Sequence, residues 1–171
     1  MRQPYNSLSL APVQKLTTAE WRRALDVIAT GTFLCTREFL ADMIARGWGR
    51  IVQIASSAGL EGARFVAHYS AAKHAVVGFT RSVALEVAGK GVRVNAVNPG
   101  VVVTSLHRTS GMDEEAYASF LERSKTTHPL GRVGQPEEVA ELIFFLASPK
   151  AGWITGLSCS IDGGRSQTCA R

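Results

Sequence analysis

Three short runs constrain the fold of this chain more than any other feature. They are Arg50-Ile51-Val52-Gln53-Ile54, a β-branched run, Val92-Arg93-Val94-Asn95-Ala96-Val97, and Leu157 to Ile161, each five or six long. Each ends in turn chemistry: Ser56-Ser57, Asn98-Pro99-Gly100 and Asp162-Gly163-Gly164. Segments with a helical period separate them. Strands that alternate with helices imply right-handed crossovers and a parallel sheet, so the expected class is α/β with strands at about 50–54, 92–97 and 158–161. Ligands of such sheets sit at the carboxyl ends of the strands, so the three turns are where chemistry is expected.

The connecting segments carry their own signals. Thr17-Thr18-Ala19-Glu20 has the form of a capping box and predicts a helix running to about Arg46, before Gly47. Gly31 in its middle suggests a close packing contact. A second helix is predicted from about His68 to Ala88, and a short one from Asp113 to about Ser124 in the polar stretch 104–135. Pro136-Glu137-Glu138 starts a last one, which reaches Ala147. Residues 1–16 read as loop or tail, 17–164 as one structural unit and 165–171 as tail.

Composition excludes several functions. With 171 residues and 46% hydrophobic content, the chain suits one globular unit, and no apolar run approaches a membrane span. The net charge is +5, but the basic residues are scattered and Arg22-Arg23 is their only adjacent pair, so no nucleic-acid or membrane partner is expected. Cys35, Cys159 and Cys169 lack metal or disulfide spacing, and the four histidines form no metal pair, so no metal is expected. A reducing, cytoplasmic setting fits. The arginine and serines before Glu20 give only a faint mitochondrial flavour.

Tyr69 and Lys73 lie four residues apart, on one face near a helix start. A phenol titrates near 10, too high for ready proton exchange at neutral pH, and a cation one turn away lowers that value. The pair is thus a candidate general acid/base, against the plainer reading of a surface Tyr and a solvated Lys. Ser56, thirteen residues before Tyr69, could hydrogen-bond a carbonyl under reduction, with Ser57 as the competing candidate and a simple turn serine as the plain reading. The turn Asn98-Pro99-Gly100 could let backbone approach a flat ring, and Thr104 could bond a carboxamide.

These motifs resemble the short-chain dehydrogenase/reductase family. The resemblance rests on Gly49-Arg50-Ile51-Val52-Gln53-Ile54-Ala55-Ser56, Tyr69-Ser70-Ala71-Ala72-Lys73 and Val92 through Gly100. Pro129-Leu130-Gly131-Arg132, Gly134 to Ala140, and Ile154-Thr155-Gly156 with Asp162-Gly163-Gly164 add to it. It spans about residues 17–164 and is closest to the branch holding the acyl-carrier-protein ketoreductases. It implies part of a Rossmann-like, doubly wound fold and hydride transfer between NAD or NADP and a small carbonyl or alcohol substrate. Tyr69 would exchange the proton, Lys73 would hold the nicotinamide ribose and lower the Tyr69 pKa, and Ser56 would orient the carbonyl. Pro99, Gly100, Val102 and Thr104 would line the nicotinamide, and residues 105–128 would form a lid. The helices at 20–46 and 68–89 would build a homo-oligomer.

Two departures accompany the resemblance. The family places a catalytic Asn after Asp-Val, where this chain has Asp26-Val27-Ile28. The glycine-rich cofactor loop is absent: no G-x-x-x-G-x-G or G-x-G-x-x-G occurs, so only the nicotinamide end of a cofactor is provided for. The expectation is therefore the C-terminal portion of such a domain, with weak cofactor affinity. A catalytically silent fragment or isoform that associates with full-length relatives is the alternative.

Overall fold

The computed structural model describes residues 9–109 and 112–168. Cys169 and the other terminal residues lie outside them. Helix α1 (Thr18–Ala24) starts at the expected capping box: Thr17 Oγ1 accepts from Glu20 N–H, and the Glu20 carboxylate accepts from Thr17 N–H. The helix then passes through a π-helical segment, Leu25–Thr30, before α2 (Gly31–Ala45). No sequence period announces that segment. The close contact expected at Gly31 is not found: a Cβ there would meet only Asp26 O, at an ordinary 3.7 Å.

Strand β1 (Gly49–Ile54) leads through the Ser56 loop into α3 (Ala67–Val87), and β2 (Val92–Pro99) follows. The stretch expected to be lid holds α4 (Leu106–Thr109) and α5 (Glu114–Lys125), the latter capped by Asp113. Helix α6 (Pro136–Ala147) and β3 (Ser158–Ile161) complete the chain. The sheet is parallel, in the order β1-β2-β3, with Ile54 opposite Val97 and Pro99 opposite Ile161. Strand β2 runs two residues past its expected end. Pro99 is tolerated there because it is the last residue of the strand, where the missing N–H breaks no interior rung.

Alternation along β2 sets the two layers. Val92, Val94 and Ala96 pack against α3 and the α1–α2 helix, with Val83, Ala84 and Val87 from α3 and Leu40 and Ile44 from α2. Val97 faces the other way, onto Leu142, Ile143 and Leu146 of α6. Each fully buried valine contributes roughly 1.5–3 kcal/mol by leaving water. The two crossovers step in the same direction across the sheet, yet α3 and α6 cover opposite faces, so they have opposite hands. This corrects the expectation of two right-handed crossovers. The second connection spans residues 100–157 and carries the lid elements, so it is not the tight strand–helix–strand unit from which the handedness rule arises.

The terminal segments are docked onto the domain. Ala11 is buried and its N–H donates to Phe65 O at 2.8 Å, while Ser166 N–H donates to the Asp162 carboxylate at 2.8 Å.

Candidate active site

The carboxyl ends of β1 and β2 are adjacent, with Ala55 N–H donating to Val97 O at 2.8 Å. Ser56, the next residue, therefore stands beside the end of β2. Its hydroxyl caps a 3₁₀ turn, Ser57–Gly59, accepting from Ala58 N–H at 3.2 Å. The Ser56 hydroxyl also lies close enough to the Tyr69 phenol to favour its ionised form. Ser57 is buried, and its carbonyl closes the turn by accepting from Leu60 and Glu61 N–H. The local fold thus turns Ser56, rather than Ser57, toward Tyr69.

Tyr69 and Lys73 sit on the first two turns of α3. The tyrosine ring packs on the cluster of Ile28, Ala55, Ala72 and Val76. Ile28 is a buried core residue within the π-helical segment, so the position of the family's Asn is filled by a hydrocarbon. Lys73 is half-buried, its Nζ 5.6 Å from the Tyr69 ring centroid, and it donates to Ile54 O at 2.7 Å. Gly59 permits this approach: a Cβ there would lie 2.8 Å from Lys73 Cβ.

The electrostatics differ from the expected picture. Burial pushes the Tyr69 phenol above its ordinary value, and the nearby Ser56 hydroxyl only partly offsets this. The Lys73 ammonium is turned to the Ile54 carbonyl and is itself drawn down to about 8 by burial.

Pro99 and Gly100 follow directly from β2, with Gly100 N–H donating to Ile161 O at 3.1 Å. A Cβ on Gly100 would lie 2.8 Å from His128 Nε2 and 2.9 Å from Asp162 Cβ, so only glycine fits. Val102 makes a parallel bridge to Gly134, which holds the turn against the residues before α6. Thr104 is exposed; its hydroxyl accepts from Leu106 N–H at 3.4 Å and its carbonyl accepts from Tyr117 O–H at 3.0 Å. In this structure it ties the turn to α4 and α5. His128, buried behind Gly100, is a residue that sequence reasoning passed over, since an isolated loop histidine carries no spacing signal. Among the described residues no helix is long and apolar enough to cross a membrane.

Comparison with known proteins gives one consistent answer. Residues 6–166 match a family model described as enoyl-(acyl carrier protein) reductase. A 3-oxoacyl-[acyl-carrier-protein] reductase of Synechocystis is 43% identical over 151 residues, covering 88% of this chain and 58% of that protein. A cyclohexanol dehydrogenase of Acinetobacter is 40% identical, covering 88% of this chain and 56% of that protein. Among solved structures, a gluconate 5-dehydrogenase of Burkholderia cenocepacia in complex with NADP and tartrate superposes with a TM-score of 0.86 at 29% identity, covering 94% of this chain and 61% of that one. The chain thus spans somewhat over half the length of these relatives, and it belongs to the short-chain dehydrogenase/reductase family, with the Rossmann-type α/β fold of its oxidoreductases.

Proposed function

We propose that this chain carries the catalytic half of an NAD(P)-dependent oxidoreductase that interconverts a carbonyl and an alcohol on a small molecule. The observation that carries the reading is the convergence of Ser56, Tyr69 and Lys73 at the end of β1, beside the Pro99–Gly100 turn at the end of β2. The similar proteins reduce an oxoacyl group or oxidise a cyclic alcohol, as their names state, and both reactions exchange one hydride and one proton at a C–O centre.

The residues present fit the nicotinamide end of such a cofactor. Lys73 gives one N–H to Ile54 O, which leaves two donors for ribose hydroxyls, and the glycine at position 100 keeps side-chain bulk off the turn. When bound, the nicotinamide supplies or accepts the hydride. The Tyr69 phenol gives its proton to the nascent alkoxide, or takes one from an alcohol in the reverse direction. Ser56 O–H donates to the same oxygen and stabilises its charge. The phenol raised by burial favours the protonated state that a reductase needs.

The sequence offers no glycine-rich pyrophosphate loop, so most dinucleotide affinity is missing from this chain. Calorimetry on the 171-residue chain tests this, with no NADP or NAD binding expected at micromolar concentrations. A dissociation constant below about 10 μM would show that another segment supplies the phosphate site. A second reading, a catalytically silent chain that associates with full-length relatives, is favoured by Ile28, which puts a hydrocarbon in the cluster beside Tyr69. The assay that separates the two measures NADPH oxidation at millimolar cofactor with a β-keto thioester. Turnover lost in Tyr69→Phe supports the enzyme, and none in the wild type supports the silent chain.

A further inference from the structure

His128 joins the three segments that surround the proposed nicotinamide turn. It is 3% exposed. Its Nδ1 lies 2.7 Å from Ser124 O at the end of α5, and its Nε2 lies 3.2 Å from Val101 N. Its ring packs against Gly100 on one side and Gly163 on the other. A backbone carbonyl can only accept and a backbone N–H can only donate. One arrangement satisfies both: Nδ1 carries the proton and donates to Ser124, while bare Nε2 accepts from Val101.

We infer that His128 is a positioning residue for the nicotinamide turn, holding Pro99-Gly100-Val101 in place as the neutral Nδ1–H imidazole and coupling that turn to the C-terminal end of the lid. The role rests on the oxidoreductase reading above. Asp162 is the charged group that faces the ring, from the end of β3. Its carboxylate is already held by Gly164 and Ser166 N–H. Arg132 and Glu138 line the cavity beside the ring, but their charges are paired with each other at 2.7 Å. Lys125, on the same turn of α5, is paired with Glu122, and Val101 and Gly100 carry no titratable group.

Long-range proton–nitrogen spectra of the whole chain read the tautomer. Protonated Nδ1 with bare Nε2 at pH 8 is expected; a proton on Nε2 overturns the assignment. The Val101 amide is expected to exchange about tenfold faster in His128→Phe, which keeps the ring but removes the acceptor, and to be protected again in His128→Gln. Saturation transfer from the protein to the nicotinamide protons of millimolar NADPH should weaken about tenfold in His128→Phe and recover in His128→Gln. Equal transfer in all three overturns the positioning role. Absence of transfer in the wild type defeats the oxidoreductase reading instead, and the tautomer and the Val101 amide then decide the role of His128. If His128→Phe fails to fold, the tautomer and the Gln variant decide it: unprotected Val101 in His128→Gln, despite a native melt, overturns the assignment.

Discussion

The Lys73 ammonium donates to the carbonyl of Ile54 at 2.7 Å, tying the second turn of α3 to the last residue of β1. The bond fixes a cation beside the Tyr69 ring, and it does so at a cost in solvation. Burial draws the amine from its ordinary 10.5 down to about 8. Below about pH 8 both folded and unfolded chains carry the proton, and the folded state bears the full penalty of a half-buried charge. Between about 8 and 10.5 the unfolded chain binds more protons, so stability rises with pH across that window.

Lys73→Met is therefore expected to raise the melting temperature at pH 7 by about 2–4 °C, a modest gain because the amine keeps part of its hydration. The gain should shrink as pH rises from about 8 toward 10.5, because the folded wild-type amine is then neutral and no longer carries the burial penalty. Paired thermal melts at the two pH values check this. A variant less stable than wild type at pH 7 would mean that the Ile54 hydrogen bond outweighs the desolvation.

The two adjacent serines are expected to behave differently. Ser56 faces the phenol, whereas Ser57 is buried in the turn. In any assay where the chain turns over, Ser56→Ala should lower kcat by about 10²–10³-fold, the scale of one lost oxyanion donor. Ser57→Ala should act mainly on stability, shifting the melt with little change in kcat. Equal kcat losses would remove the distinction that the 3₁₀ turn draws.

Ile28 gives a third test. It packs among Ala55, Ala72, Val76, Val77 and Ala96. Ile28→Asn restores the family residue type but puts an amide into a hydrocarbon cluster, with an expected loss of roughly 3 kcal/mol from lost packing and an unpaired polar group. Denaturant midpoints at constant slope would measure it. A neutral effect would show that the π-helical segment already holds room for a polar group beside Tyr69.

How much of this was legible follows from what each feature needs. The capping box at Thr17–Glu20 and the three strands depend on local spacing, and the sequence carried them except for the last two residues of β2. The π-helical segment, the opposite hands of the two crossovers and the bond from His128 to Val101 depend on contacts between distant segments, for which no period exists. The upward direction of the Tyr69 pKa is illegible for a similar reason. Spacing shows that a cation is one turn away, but it shows neither where the ammonium points nor how far the ring is buried.

The last test concerns the sheet edge. Strand β1 pairs only with β2, and its other side has no partner strand among the described residues. Ile51 and Val52 are half-buried, Ile54 is exposed, and no proline or acidic residue interrupts the strand. Unpaired, apolar edges of this kind add strands from other chains. The helical side is also uncovered in part, with Phe33, Leu34 and Phe39 exposed on α2 and Leu85 on α3. The isolated chain is expected to self-associate at micromolar concentration and to melt below about 65 °C. Two substitutions separate the surfaces. Ile54→Lys charges the strand edge, while Phe39→Glu charges the helical face. Light scattering on both should show which one restores a smaller species. A monodisperse wild-type monomer with a sharp melt above about 65 °C would mean that the β1 edge is covered, and would remove both surfaces as sites of association.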